Sequence, residues 1–393
     1  KIQGAISKFY PEVKDIDFSA DYAPANIDAD FASNAAIVLG KKLGKKPMKV
    51  ADRLRSAILD LVGDPGSPSI AIGGLDSLPV PQAGRLRGNG KFSVEAAPPG
   101  FLNFKLSANI WQGELKKILE LGEKYGSSQI NKGKKARVEY VSANPTGPIH
   151  IGNARGGPYG EVICNVLEST GCKVLREYYH NDVGGQIEKL GQTVFLWYMR
   201  YVKDAGRLTG EVFEGEYKGE YLQEIAKAAR EKLGDTLNLE EDWQELVNFT
   251  IDFILKENFK LLKDLGIEFD LVVKESELQS SGKTKQAVEE INKLGLAKEK
   301  DGALWFAPSD EFLGDREAVI VKSDGNFTYF ASDIAYHREK FNGKSDLVMD
   351  ILGSNHHGHV PKLRALTKIY DFDPSQFVVL LYQYVRVKRG QEV

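Results

Sequence analysis

The alternation of strand and helix after residue 136 is the feature that most constrains the fold. Four segments follow one another: a β-rich run at 137–142, a helix at about 153–169, a strand at 173–179 and a helix at 186–202. Gly171 is placed to cap the first helix. Strands and helices in this order need crossover connections, which predicts a parallel sheet.

The later chain returns to this alternation after a charged, mostly helical stretch. Residues 203–275 read as a helical insertion with helices at 216–233 and 242–265. Further segments follow: strands at 303–306, 318–321 and 347–352, a helix at 360–369 and a continuous apolar strand at 377–387. An apolar run of this kind is typical of a buried parallel strand.

The first 107 residues have a different texture, broken by proline and glycine. We predict helices at 33–43 and 50–61, a Gly/Pro/Ser-rich stretch at 63–90 and a turn into a strand at 98–104. The domain organisation that follows is an α+β domain at 1–107, a linking helix at 108–135, half of an α/β domain at 136–202, an insertion at 203–275 and the other half at 276–393.

Composition narrows the class of protein. A net charge of −3 argues against binding nucleic acid through a general basic field, so an RNA partner needs local patches. No apolar run is long enough for a membrane span, and the first residues lack the apolar core of a signal peptide. We expect Cys164 and Cys172 to be reduced core residues of a cytoplasmic protein, rather than a reactive thiol or a disulfide.

The chemistry is expected in the loop at 142–157. It joins a strand to a helix, and in a doubly wound sheet that junction lies at the carboxyl edge, where ligands bind. A helix N-terminus there suits phosphate, Gly152 allows close approach to the backbone, and His150 can donate a hydrogen bond. Neither a Gly-x-Gly-x-x-Gly fingerprint nor the full Gly-x-x-x-x-Gly-Lys-Ser/Thr pattern of a phosphate loop is present in the sequence.

The residues of this loop resemble a known family. His150-Ile151-Gly152-Asn153 resembles the His-Ile-Gly-His signature of class I aminoacyl-tRNA synthetases. The blocks at 176–187, 329–337 and 353–361 are similar to those of arginyl-tRNA synthetases in particular. The resemblance implies a Rossmann-like catalytic domain of the HUP type, preceded by an N-terminal domain that contacts tRNA.

The resemblance also implies the site residues. His150 and Asn153 are the expected catalytic residues. Expected ATP-binding residues are His150, Gly152, Asn153, Gly353 and His357; expected arginine-binding residues are Glu139, Asn144, Tyr329, Asp333 and His356; Ser142, Asn181 and Asp182 are expected to line the site. Asp333 follows Tyr329 by four residues, so a helix starting near residue 330 would turn both to one pocket. A carboxylate suits a guanidinium, which presents paired N–H donors.

Two departures from the family pattern matter. Asn153 replaces the second signature histidine and cannot become charged. The chain ends near residue 393, about where the family carries a Lys-Met-Ser-Lys-like loop, and Gly147 occupies the place where some members carry a substitute lysine. We therefore expect a fragment that lacks this loop and the anticodon-binding domain, with a few residues also missing before Lys1.

Several features keep simpler interpretations. The histidines at 356–359 also suit a metal site or an ordinary loop. Asp333 also suits the N-cap of a helix, and Glu139 a solvated position at a strand edge. Asn181 and Asp182 also suit a turn. The aromatic run at 195–201 suits helical packing better than base stacking on RNA. The lysines Lys41, Lys42, Lys45 and Lys46 suit an exposed helix end as well as a phosphate-binding patch.

The expected function is that of an arginine–tRNA ligase: ATP and L-arginine give arginyl-adenylate, and the arginyl group passes to the 3′ end of tRNA(Arg). The expectation includes magnesium with ATP, no zinc, no membrane and a monomer. Two alternatives are a pantothenate-type ligase of the same fold and a non-catalytic nucleotide- or RNA-binding relative.

Overall fold

The computed structural model divides the chain into two compact units, residues 1–125 and 126–393. It describes residues 2–13, 16–61, 86–88, 91–203, 217–237, 241–308, 317–385, 387, 388 and 390. Most of the Gly/Pro/Ser-rich stretch at 63–90 lies outside these residues. In the described part, no helix is long and apolar enough to cross a membrane.

The first unit is an antiparallel sheet with helices packed on it. Its elements are α1 Ile2–Phe9, β1 Ala20–Tyr22, β2 Phe31–Ser33, α2 Ala35–Leu43, α3 Pro47–Asp60, β3 Leu86–Gly88, β4 Phe92–Ala97, β5 Phe101–Leu106 and α4 Ala108–Leu121. The strand order is β1-β2-β5-β4-β3. Residues from α1, α2 and α3, such as Ile6, Leu39 and Leu54, share one core with Val94 and Leu102 of the sheet. The expected α+β character is confirmed.

The second unit is built on a parallel sheet. Its strands are β6 Lys135–Glu139, β7 Lys173–His180, β8 Leu271–Lys274, β9 Ala297–Lys300, β10 Ala303–Phe306, β11 Ala318–Val321, β12 Leu347–Gly353 and β13 Phe377–Tyr382. Five of them form an all-parallel sheet in the order β13-β12-β6-β7-β8. The order runs outward from β6 in both directions, so β6 and β12 flank the switch point where a doubly wound sheet binds ligands. The doubly wound parallel sheet is confirmed.

The second unit also contains helices. They are α5 Ile151–Ala154, α6 Gly156–Ser169, α7 Gly185–Lys203, α8 Tyr221–Leu233, α9 Trp243–Asp264, α10 Glu275–Ser280, α11 Lys283–Lys293, α12 Tyr329–Asn342 and α13 Val360–Ile369. Residues of α7, α8 and α9, among them Leu190, Leu222 and Leu246, form a core of their own. Strands β9, β10 and β11 make a small antiparallel sheet.

Several boundaries differ from the sequence prediction for local reasons. The first strand ends at Glu139 rather than at residue 142, because Val141 and Ser142 adopt positive φ values of 67° and 40°. The helix predicted from residue 153 starts at Ile151 and breaks at Arg155. The last strand ends at Tyr382 instead of residue 387, and α8 begins at Tyr221 instead of residue 216.

Two simpler interpretations are borne out. The aromatic run at 195–201 lies in α7 and packs against α8 and α9, where Tyr198 is buried and its hydroxyl donates to the Gly234 carbonyl at 2.8 Å. Cys164 and Cys172 are buried and free. Burial raises the pKa of Cys164 to about 12, which makes it an unreactive thiol at neutral pH.

Gly160 of α6 tests the packing of this helix on the sheet. A Cβ at this position would lie 2.3 Å from Cγ of Tyr140, whose buried ring cannot move aside easily. Overpacking costs about 1–3 kcal/mol, against a gain of about 1 kcal/mol in helix propensity. Because a 2.3 Å approach is far inside van der Waals contact, the cost lies in the upper part of this range, and we expect Gly160→Ala to destabilise the protein by about 1–2 kcal/mol in urea unfolding.

The control is Gly113→Ala in α4, where nothing lies within 4 Å of the added Cβ. That change should leave stability equal or raise it by up to about 1 kcal/mol. A Gly160→Ala protein as stable as the wild type would contradict the packing argument.

Candidate functional site

A cavity of about 1660 Å³ opens at the carboxyl edge of the parallel sheet. The ends of β6, β7 and β12 reach it, together with the loop that follows β6 and the first turn of α12. The residues predicted for the site that line it are Glu139, Ser142, Asn144, His150, Gly152, Asn181, Tyr329, Asp333, Gly353 and His356. Two predicted residues, Asp182 and His357, are not among the lining residues of the described chain.

The loop after β6 is held in a tight path across the sheet edge. The Ser142 hydroxyl accepts a hydrogen bond from the Tyr179 backbone N–H at 3.0 Å, and the Tyr178 hydroxyl donates to the Ala143 carbonyl at 2.7 Å. Val141 is β-branched and rarely takes a positive φ. Such strain persists only where the surroundings determine the conformation, as these bonds from β7 do here.

The signature residues lie on this loop and at the start of α5. The His150 Nδ1 accepts a hydrogen bond from the Gly152 backbone N–H at 3.2 Å, so a neutral His150 ring carries its proton on Nε2, where it can donate. A Cβ on Gly152 would lie 2.4 Å from the Tyr384 ring, so the missing side chain allows that ring to approach the backbone of the loop. The Asn153 side chain lies outside the described residues.

One row of buried carboxylates crosses the centre of the sheet. Asp350 of β12 pairs in register with Glu139 of β6, which pairs with Glu177 of β7. Registered neighbours point to the same face of a sheet, so three acids lie side by side there. Arg137 forms a bidentate ion pair with Glu177. Lys340 of α12 is fully buried and bridges the other two acids.

Lys340 supplies the positive charge that allows Glu139 and Asp350 to be buried in this row. Its Nζ donates to Glu139 and to Asp350 Oδ1, the second at 2.6 Å. Burial alone would lower the pKa of Lys340, but Asp350 and Glu139 outweigh it and raise that pKa. Burial likewise works against Asp350, yet Lys340 and His337 hold the pKa of Asp350 below its usual range. The Glu139 carboxylate is thus a buried, fixed charge rather than a solvated strand edge.

A second group of acids, in the described part of the chain, forms no ion pair with lysine or arginine. Asp333 lies one turn into α12, after Thr328 at the N-cap position, so it is not the N-cap. Burial raises the pKa of Asp333 well above its usual value, and the nearby carboxylates of Glu275 and Glu139 raise it further. The Asp333 carboxylate also raises the pKa of Tyr329. His359 Nδ1 lies 3.8 Å from Asp333 Oδ2.

Glu275, which the sequence prediction missed, completes this group. It opens α10 and is buried, and burial raises its pKa to about 7. Gln279 donates to its Oε1 at 3.2 Å. In the described part of the chain, Glu275 Oε2 and the buried hydroxyls of Tyr179 and Tyr336 have no hydrogen-bond partner. All of these side chains line the cavity. Their acceptors and buried charge suit a cationic ligand with several N–H donors.

The other predicted residues have local roles. Asn144 Nδ2 donates to Gln186 Oε1 at 3.0 Å, which links the loop to α7. Asp182 accepts from the backbone N–H and the hydroxyl of Ser276 and so caps α10, which carries Glu275. His356 is half-buried, and burial lowers its pKa, which favours a neutral ring; His357 is exposed.

No group of three or more His, Cys, Asp or Glu side chains suited to hold a metal ion occurs among the described residues. The histidines at 356–359 lie in and just after a short 3₁₀ turn, Ser354–Gly358, and only His356 and His359 of the three line the cavity.

Glu275 predicts a pH dependence of stability. Its pKa in the folded protein, about 7, exceeds the ordinary value of 4.5 for a glutamic acid side chain, so its protonated form is the one that folding favours. The contribution is therefore complete below about pH 4.5 and is lost as the pH rises through about 7. Asp182, Asp333 and Tyr179 face the same carboxyl.

We expect Glu275→Gln to be more stable than the wild type at pH 8.5, and this advantage should shrink at pH 5. Urea unfolding at both pH values measures it. Glu277→Gln changes an exposed acid on the same helix and should leave the wild-type pH dependence intact. An advantage of Glu275→Gln that does not change with pH would contradict the prediction.

Removing the charge of Lys340 should lower the free energy of unfolding strongly. Lys340→Met leaves Glu139 and Asp350 buried without their ammonium partner, which costs about 3–5 kcal/mol in unfolding free energy. Adding Glu139→Gln to this variant should recover part of the loss, because one uncompensated charge disappears. Lys293→Met, at the exposed end of α11, is the control. A loss below about 1 kcal/mol would show that the row does not need Lys340.

Comparison with known sequences gives the family. The sequence model described as tRNA synthetases class I (R), catalytic domain, matches residues 114–390, and the one described as Arginyl tRNA synthetase N terminal domain matches residues 1–61. An arginine–tRNA ligase of Acetivibrio thermocellus is 41% identical over 306 residues, which are 76% of this chain and 53% of that protein. One of Citrifermentans bemidjiense is 37% identical over 374 residues, 93% of this chain and 61% of that protein.

The fold agrees with a solved structure, the arginyl-tRNA synthetase of Thermus thermophilus. The TM-score is 0.64 at 20% identity, over 97% of this chain and 64% of that one. The chain thus spans little more than half to three fifths of the length of the curated relatives that it matches. Because the catalytic-domain match alone takes in well over half of the sequence, the chain belongs to the class I tRNA synthetases of the arginyl type.

Proposed function

We propose that the chain is the N-terminal and catalytic portion of an arginine–tRNA ligase, which activates L-arginine with ATP and transfers it to the 3′ end of tRNA(Arg). One observation carries the proposal: the cavity ends in the buried carboxylates of Glu275 and Asp333, with the hydroxyls of Tyr179 and Tyr329 beside them. In the described part of the chain neither carboxylate forms an ion pair with lysine or arginine; Lys340 and Lys362 act on Asp333 only from a distance, and His359 Nδ1 lies 3.8 Å from it. A guanidinium supplies both the missing charge and the missing donors.

The arginine-binding roles follow from this chemistry. Asp333 and Glu275 take the guanidinium, with the Tyr329 and Tyr179 hydroxyls beside them. Binding a cation there favours the ionised carboxylates, so part of the free energy of binding goes into releasing their protons. Glu139, held by Lys340, helps to neutralise the charge of the substrate, and Asn144, held by Gln186, takes its α-amino or carboxyl end.

The roles proposed for the nucleotide-binding residues follow from the loop after β6 and from the segment at 353–361. His150 Nε2–H, Gly152 and Asn153 take the phosphates, and Gly353, at the end of β12, takes the adenosine with His357 nearby. His356 is proposed to face the amino acid. Magnesium enters with ATP as part of the substrate and lies on the pyrophosphate side.

The reaction needs positioning more than covalent help from the protein. An oxygen of the arginine carboxylate attacks the α-phosphorus as the bond to pyrophosphate breaks, giving arginyl-adenylate. The terminal ribose hydroxyl of tRNA then attacks the adenylate carbonyl and AMP leaves. Fixed donors such as His150 stabilise the charge that builds on the phosphate oxygens.

The proposal also includes the tRNA contact, the cellular compartment, the oligomeric state and the domain boundaries. The N-terminal unit contacts tRNA by shape and phosphates, and Lys41, Lys42, Lys45 and Lys46, which are exposed at the junction of α2 and α3, form the basic patch. We propose a cytoplasmic monomer; buried, free cysteines are typical of a reducing compartment. The domain boundaries at 107, 135, 202 and 275 stay part of the proposal.

Arginine binding tests the carboxylate pocket. In calorimetry the chain should bind L-arginine, while citrulline, the uncharged isostere, should bind at least about 100-fold more weakly. Asp333→Asn should weaken arginine by a similar factor, since removing one partner of a buried charge pair costs about 3–5 kcal/mol. Asp301→Asn makes the same change in an exposed turn and should bind normally.

Activity is measured on the longest natural form as ATP–pyrophosphate exchange, with and without tRNA. Exchange that requires arginine supports the proposal. Exchange that does not depend on arginine would point to another ligase, and no exchange would leave a binding relative. Equal affinity for citrulline and arginine would overturn the guanidinium pocket.

A further inference from the structure

Residues 146–149, which lead into the signature residues at His150, are held by a buried side chain that does not belong to the parallel sheet. Asn258 lies in the last third of α9 and is 2% exposed. Its Oδ1 accepts a hydrogen bond from the Ile149 backbone N–H at 3.0 Å, and its Nδ2 donates to the Gly147 carbonyl at 3.2 Å. One amide thus satisfies both a donor and an acceptor of the loop, as a neighbouring strand would.

A second side chain of the insertion holds the adjoining peptide. The Tyr221 hydroxyl, at the start of α8, donates to the Thr146 carbonyl at 2.9 Å. The same hydroxyl lies 3.2 Å from the position of a Cβ on Gly147. The loop therefore rests against the tyrosine at Gly147, and a side chain there would push the two apart. Backbone groups of residues 146, 147 and 149 are all tied to the helical insertion.

Helix α9, which carries Asn258, is held in place by packing against two separate cores. Leu246 and Ile254 of α9 belong to the core of the insertion, whereas Leu262, near the end of α9, belongs to the core beneath the parallel sheet. A helix anchored in two cores cannot shift without disturbing both, because interiors are close-packed. Asn258 lies between these anchors and so has a fixed position relative to the sheet.

We propose that Asn258, assisted by Tyr221, is a positioning residue for ATP: it sets the path of residues 146–149 and so places His150 against the phosphates. The inference rests on the proposed function, since it takes His150 and Gly152 as the nucleotide-binding residues. It adds that the insertion, not the sheet alone, determines nucleotide affinity. A displacement of about 1 Å at a reacting centre can cost on the order of 100-fold in rate.

The variants separate this role from bulk stability. Asn258→Leu keeps a similar volume and removes both hydrogen bonds. Asn258→Asp keeps the acceptor for Ile149 but sets an oxygen against the Gly147 carbonyl. Tyr221→Phe removes one hydroxyl and serves if the Asn258 variants fold poorly. Asn248→Leu makes the matched change on the exposed face of α9.

The measurements are the dissociation constants for ATP and for L-arginine on the purified chain, with thermal unfolding alongside. We expect Asn258→Leu to weaken ATP at least about 10-fold, Asn258→Asp less, and Tyr221→Phe about 2- to 5-fold. Arginine affinity should stay within about 2-fold of the wild type in all of them. Asn248→Leu should match the wild type for both ligands.

Three outcomes overturn the inference: an unchanged dissociation constant for ATP in Asn258→Leu, an equal loss for ATP and arginine, or a wild-type chain that binds no ATP. A merely structural role lowers the unfolding temperature and the fraction of competent protein but leaves the dissociation constant unchanged. Failure of the proposed function has a different signature, since a wild type that binds ATP without arginine overturns the arginine assignment while the Asn258 variants still decide the positioning role.

Discussion

The buried charge row at the centre of the parallel sheet is the constraint on which the rest of the catalytic unit depends. Asp350, Glu139 and Glu177 lie in register on three adjacent strands, where three isolated carboxylates would be prohibitively costly to bury. Arg137 and Lys340 make them tolerable. Because Lys340 comes from α12, the ion pairs fix that helix on the sheet, and with it the position of Tyr329 and Asp333.

Helix α12 therefore links two sets of acids. Glu139 and Asp350 form ion pairs with Lys340, whereas Asp333 and Glu275 form none with lysine or arginine in the described part of the chain. At the far end of the helix Lys340 neutralises acids inside the sheet; at its near end Asp333 faces the cavity together with Glu275. A protein that buries charge normally pairs it. The pocket departs from that rule at the place where a cationic substrate is proposed to enter, so the missing partner there is consistent with a ligand and not with a packing fault.

Sequence reasoning reached the parts of this architecture that local patterns encode. The strand and helix rhythm predicted the parallel sheet, and a spacing of four residues predicted that Tyr329 and Asp333 share a pocket, as both line the cavity. Glu275, Lys340 and Asn258 were missed, because their roles depend on contacts with distant segments: Lys340 meets Glu139 across 201 residues, and Asn258 meets Ile149 across 109. No periodicity within one segment reports such a contact.

The loop between β6 and α5 is where these contacts converge. From one side β7 holds Ser142 and Ala143, and from the other the insertion holds residues 146–149. Two sets of bonds on opposite flanks over-determine the path, which is why Val141 and Ser142 can keep left-handed backbone conformations. A loop strained in this way has little freedom left to lose when a nucleotide binds. In the proposed function, the helical insertion is the second wall of the nucleotide site, and the sheet edge is the first.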